Sequence, residues 1–73
     1  MTGRPRKHSL TLRGHRTSVS LEDAFWVELQ RLADARAMSV NELVAEIDGG
    51  RGASSGLAAA IRVHVLAAVK AGQ

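Results

Sequence analysis

The chain has 73 residues, 45% of them apolar, with no Cys, one Pro, one Trp, one Phe and no Tyr. That length holds one small domain without disulfides or Cys-based zinc sites, and a domain this small buries only about 60% of the surface its unfolded chain exposes, so a second copy is expected to complete the core. Net charge is +3, but residues 1–16 carry five cations and no acid while the rest carries five cations and seven acids, an asymmetry that points to an anionic polymer or surface as partner.

Residues 1–8 read as a flexible basic arm, with Arg4, Arg6 and Lys7 between the breakers Gly3 and Pro5. Loose attraction to phosphates is its expected role. In residues 9–21, Leu10 and Leu12 flank Thr11, and Thr17, Val19 and Leu21 alternate with Ser18 and Ser20. Period-two alternation predicts a strand with one buried face. The apolar phase is even in the first stretch and odd in the second, so a turn, bulge or break is expected at Arg13, Gly14 and His15. The strand is set at about 16–21. Residues 9–13 fit either extra arm contacts or the first leg of a hairpin, which would bring Leu10 and Leu12 onto the face of Thr17 and Val19.

From Glu22 the period becomes helical. Phe25, Leu29, Leu32 and Ala33 share one face of a helix over about 22–36, with Ser20 as its expected cap. Trp26 reads as a half-buried residue of a dimer interface. Ser39-Val40-Asn41-Glu42 fits a capping box, with Met38 and Leu43 placed as a hydrophobic staple. A second helix over about 40–48 follows, burying Leu43, Val44 and Ile47 and stopping at Gly49-Gly50. After a loop at Arg51-Gly52-Ala53, Ser54 or Ser55 caps a third helix over about 55–70. Its broad face of Leu57, Ala60, Ile61, Val65, Ala68 and Val69 is expected to cover the core. The organisation is thus a basic arm (1–8), a strand-helix-helix core (9–50), and a loop with a C-terminal helix (51–73).

Enzymatic chemistry has no visible occupant. His8, His15 and His64 lack the i, i+4 spacing of a helical metal pair, and no Gly-rich loop joins a strand to a helix. No catalysis, metal or cofactor is expected. No apolar run reaches the roughly 18 residues of a membrane span, and no apolar leader opens the chain. A cytoplasmic, nucleoid-associated location is the expectation.

A lone strand leaves its backbone groups unpaired on both edges. The economical partner is the same strand of a second chain, antiparallel across a two-fold axis. The resulting two-stranded ribbon would turn Thr17, Val19 and Leu21 inward and Arg16, Ser18 and Ser20 outward. Such a ribbon fits the major groove of B-DNA, where Arg pairs with guanine and Ser with several base edges.

Arg16-Thr17-Ser18-Val19-Ser20-Leu21, the helix opening Glu22-Asp23-Ala24-Phe25-Trp26, and Met38-Ser39-Val40-Asn41-Glu42-Leu43 together resemble the ribbon-helix-helix DNA-binding family. The match runs without a gap over about 15–48, and the longer string from Gly14 to Trp26, with Leu57 to Leu66 behind it, resembles a bacterial subfamily with an extra C-terminal helix. The resemblance implies a mainly α fold with one short strand: an intertwined homodimer with an intermolecular two-stranded antiparallel ribbon plus a third helix. Its dimer core would be Thr17, Val19, Leu21, Phe25, Leu29, Leu32, Leu43, Val44 and Ile47. It implies base reading by Arg16, Ser18 and Ser20. Phosphate would be clamped at Ser39, Val40 and Asn41, where the helix start favours an anion. The basic residues Arg4, Arg6, Lys7 and Arg13 would serve as the DNA arm. Ala37 stands where family members often carry Gly.

The expected function is a sequence-specific DNA-binding transcriptional regulator, a repressor acting on double-stranded DNA as a homodimer, with stacked dimers on repeated half-sites as an open option. Two alternatives stand beside it: an antitoxin that also binds a toxin, and a helical protein-interaction module without DNA.

Overall fold

Arg13 and Gly14 decide how the fold begins. Both have positive φ, 52° and 82°, the type I′ geometry whose twist matches that of two antiparallel strands. They join β1 (Arg6–Leu12) to β2 (His15–Leu21) in a hairpin whose register runs from Leu12↔His15 at the turn to Arg6↔Leu21 at the far end. Three helices follow, α1 (Asp23–Ala35), α2 (Val40–Gly50) and α3 (Leu57–Lys70). The computed structural model describes residues 3–50 and 56–72.

The hairpin corrects the expectation of one short strand paired only across two chains. β2 takes its partner from its own chain, and Arg6, Lys7 and His8 belong to β1 rather than to an arm. The physical reason lies in the phase switch. A two-residue turn sets even positions of β1 opposite odd positions of β2, so Leu10 and Leu12 share a face with Val19 and Leu21.

That face is the roof of the core. Leu10, Leu12, Val19 and Leu21 close over Leu29, Leu32 and Ala33 of α1, Leu43, Val44 and Ile47 of α2, and Ile61, Val65 and Ala68 of α3. α2 packs on β1, α3 on β2, and α1 on both other helices. Leu21, Leu29, Leu43, Val44 and Ile61 are fully enclosed within one chain. Of the nine residues expected in a dimer core, the single chain by itself leaves Thr17 exposed and Phe25 half-buried, and buries the other seven. The helices leave the turn half of β2 open, so His15 and Thr17 lie on the inner face yet meet solvent.

Local chemistry sets the helix ends. Glu22, not Ser20, is the N-cap of α1, and its carboxylate turns away from the helix to accept Arg62 Nε at 2.9 Å and Nη2 at 3.2 Å. The Arg62 guanidinium also lies 5.9 Å from the Phe25 ring centroid. Trp26 stacks on His8 with ring centroids 3.8 Å apart and planes 6° from parallel, so its neighbour is the hairpin of its own chain. Helix α1 ends in a Schellman motif. Met38 N–H donates to Ala33 O at 2.9 Å and Ala37 N–H to Asp34 O at 3.0 Å, with Ala37 at φ 56°.

Helix α2 begins with the reciprocal capping box. Glu42 N–H donates to Ser39 Oγ at 3.0 Å, and Ser39 N–H to Glu42 Oε1 at 2.8 Å. Gly56 is the N-cap of α3. The Ser54 and Ser55 cap and the Arg51-Gly52-Ala53 loop lie outside the described residues. Val69, expected on the buried face of α3, is exposed together with Val63 and Leu66.

Candidate nucleic-acid interface

The pleat of the hairpin sorts its side chains into two sets. Arg6, His8, Leu10 and Leu12 share the inner face with His15, Thr17, Val19 and Leu21. Lys7, Ser9 and Thr11 share the outer face with Ser20, Ser18 and Arg16, as directly opposed pairs. All six outer residues are exposed. Two are cations and four are hydroxyls, with no acid among them. The face offers donors everywhere and acceptors at the hydroxyls, a chemistry suited to base edges and phosphate oxygens.

The three expected base readers, Arg16, Ser18 and Ser20, therefore lie together on one exposed face. Sequence reasoning missed Ser9 and Thr11 beside them and assigned Lys7 to the arm. The available signal was parity: once Arg13-Gly14 is a two-residue turn, positions 7, 9 and 11 must join 16, 18 and 20.

The four expected arm cations do not form one group. Lys7 is on the outer face. Arg6 lies on the inner face, with its guanidinium 3.6 Å from the Asp23 carboxylate. Arg13 sits in the turn and donates from Nη2 to Ala45 O of α2 at 3.3 Å. That guanidinium stands 2.8 Å from where a Cβ on Gly49 would be, so Gly49 makes room for it. Arg4 precedes β1 and is exposed.

The start of α2 is partly spent on itself. The Ser39 N–H and hydroxyl are committed to Glu42. These two bonds, the backbone N–H first, hold the Glu42 carboxyl below the 4.5 of a free glutamate. Helical bonding starts with Leu43 N–H to Ser39 O. Among the described residues, the N–H groups of Val40 and Asn41 take no partner, so they remain available to an anion while Ser39 is not. The Asn41 side chain is engaged elsewhere, with its Oδ1 accepting the Thr11 N–H of β1 at 3.2 Å.

This bond distinguishes the two edges of the ribbon. The sheet has two strands, so each has one edge facing outward. On β1 that edge is met by Asn41. On β2 the outward groups of Arg16, Ser18 and Ser20 have no partner among the described residues. Among the described residues, no group of three or more His, Cys, Asp or Glu is placed to hold a metal ion. No described helix is long and apolar enough to cross a membrane.

A protein-family model described as a ribbon-helix-helix domain matches residues 5–69. No curated protein and no solved structure matches the chain.

Proposed function

The chain belongs to the ribbon-helix-helix family, a non-enzymatic DNA-binding fold, and from that premise we propose that it is a sequence-specific transcriptional regulator that represses by occupying an operator. The observation that carries the reading is the exposed outer face on which Arg16, Ser18 and Ser20 stand in a row, with no acid among the residues of that face. Arg16 bonds a guanine edge, the two Ser hydroxyls meet adjoining bases, and the Val40 and Asn41 N–H groups take a phosphate.

The reading includes a homodimer, joined where the single chain is open. β2 of one copy pairs antiparallel with β2 of the other around a two-fold axis near Ser18, setting Arg16 opposite the partner's Ser20. The order across the joined sheet is β1, β2, β2 and β1. Three features support this arrangement: the unpaired outward edge of β2, the blocked edge of β1 at Asn41, and the exposed inner-face residues His15 and Thr17. A second copy covers Thr17 and Phe25, which one chain leaves incompletely buried.

The antitoxin alternative draws on the exposed Val63, Leu66 and Val69 of α3. Against it, α3 is already folded onto the core through Ile61, Val65 and Ala68, whereas toxin-wrapping segments order on binding.

The test is selection from a random duplex pool, followed by anisotropy titration of the enriched site. Arg16→Ala should weaken binding to that site by about 1–3 kcal/mol while the dimer stays folded. Equal affinity of wild type and variant for the site would remove Arg16 as a reader. A pool from which no sequence is enriched would remove the regulator reading.

A further inference from the structure

We infer that β1 is the phosphate-gripping flank of the recognition sheet. On this view Lys7, Ser9 and Thr11 hold the sugar-phosphate wall of the groove and read no bases. The inference rests on the DNA-binding, β2-paired reading above and adds a function for a strand that reading leaves idle.

One geometric argument from the proposed four-stranded sheet and one observed contact assign β1 to the wall rather than the floor. The first is width. Neighbouring strands lie about 4.8 Å apart, so four strands span about 14 Å between their outer backbones before side chains are added. The major groove is about 12 Å wide. The two central β2 strands fit within it and the flanking β1 strands do not. Each strand is also turned by about 20–25° from its neighbour, which swings the flanks away from the base edges.

The second is the Asn41–Thr11 bond. It ties Asn41, in the first turn of α2, to the outward edge of β1 at Thr11. The anion-seeking end of α2 and the outer face of β1 therefore border one another, along the line where a groove wall would run.

The side chains suit that position. Lys7 is a flexible point charge without a bidentate fork, apt for phosphate and poor at discriminating bases. Ser9 and Thr11 are short hydroxyls that donate to phosphate oxygens. Arg16, the one forked donor on the outer face, is on β2. Lys7 also lies opposite Ser20 and Thr11 opposite Arg16, so each β1 side chain flanks a reading position without sharing its strand.

The experiment uses the full chain carrying Lys7→Gln, Ser9→Ala and Thr11→Val together, with Lys7→Gln alone as a second variant that leaves the strand surface intact. Both are titrated by anisotropy against the site enriched by wild type and against a scrambled duplex, over a series of salt concentrations, after circular dichroism and sedimentation confirm folded dimers. Both duplexes should lose affinity by the same factor. The log–log salt slope should become shallower by about 1.8 per dimer for Lys7→Gln, since two phosphate contacts are lost at about 0.9 each. Repeating the selection with the triple variant should return the wild-type sequence. A changed selected sequence, or a loss confined to the enriched site, would overturn the inference by making β1 a reader. An unchanged slope and affinity would overturn it by taking β1 out of the interface. Failure of wild type itself to bind either duplex would reject the DNA reading as a whole, an outcome distinct from both.

Discussion

Asn41 Oδ1 accepts the backbone N–H of Thr11 at 3.2 Å, across 30 residues of sequence. One amide thus fastens the edge of the hairpin to the first turn of α2, and the outer ribbon face keeps a fixed relation to the helix start. Removing it by Asn41→Ala should cost about 0.5–1.5 kcal/mol, the usual net worth of one hydrogen bond. The more specific readout is amide exchange by NMR. Thr11 N–H should lose protection beyond the global change, because its partner has gone. Thr11 exchange that follows the rest of the sheet would show that the bond does not hold the edge.

Ala37 is the costliest backbone choice in the helical part of the chain. Its φ of 56° is imposed by the Schellman bonds that end α1, and a Cβ is disfavoured there. Ala37→Gly should therefore stabilise the protein by about 1 kcal/mol, offset in part by greater freedom of the unfolded chain. For a domain of this size that raises Tm by about 4–8 °C. A thermal melt with Tm unchanged or lowered would mean that Ala37 bears no strain.

The cysteine-free chain offers a clean report on the proposed two-fold. In an antiparallel pair centred on Ser18, the two Ser18 Cα atoms would stand about 5.5 Å apart, within disulfide reach. Ser18→Cys should give a covalent dimer under mild oxidation, at concentrations where Ser9→Cys, on the flank, stays monomeric on a non-reducing gel. Equal crosslinking at the two positions would point to random collision, and crosslinking through Ser9 alone would place the dimer contact on the other edge.

The parts of the fold written in local spacing were legible. The capping box is a four-residue pattern, and Ser39 and Glu42 bond as that pattern dictates. Leu29, Leu32, Leu43, Val44 and Ile47 follow helical periodicity and are buried. The hairpin was half legible: the phase change was visible at Gly14, but Arg13 is an unusual residue for positive φ, so the turn carried no Asn-Gly signature. Contacts between distant residues had no local signal. Nothing near Glu22 announces Arg62, 40 positions away, and nothing near His8 announces Trp26. The candidate interface follows the same division. Arg16, Ser18 and Ser20 could be read from alternation along one strand, while Ser9 and Thr11 needed the register between two.

The Glu22–Arg62 pair makes an acid-sensitive strut between the start of α1 and the outside of α3. The Arg62 side-chain bonds, followed by the backbone at Glu22, hold the Glu22 carboxyl below 4.5. Glu46 is held down likewise, first by its bonds to Arg36 at 2.8 and 3.1 Å, and Glu42 by Ser39. A carboxyl whose folded value is depressed binds fewer protons in the native than in the unfolded state near that pH. Its stabilisation is complete above 4.5 and is lost as pH falls through the lowered native value. The urea midpoint of wild type should therefore decline below pH 4.5. Arg62→Met keeps the aliphatic stem and removes the partner, so its urea midpoint should lie below wild type at neutral pH. The gap should close as acid protonates Glu22. Urea titrations of both proteins from about pH 6 to about pH 3 measure that gap directly. A gap that stays constant across the series would mean that Arg62 stabilises only through its packing on Phe25, with no contribution from the ionised carboxylate.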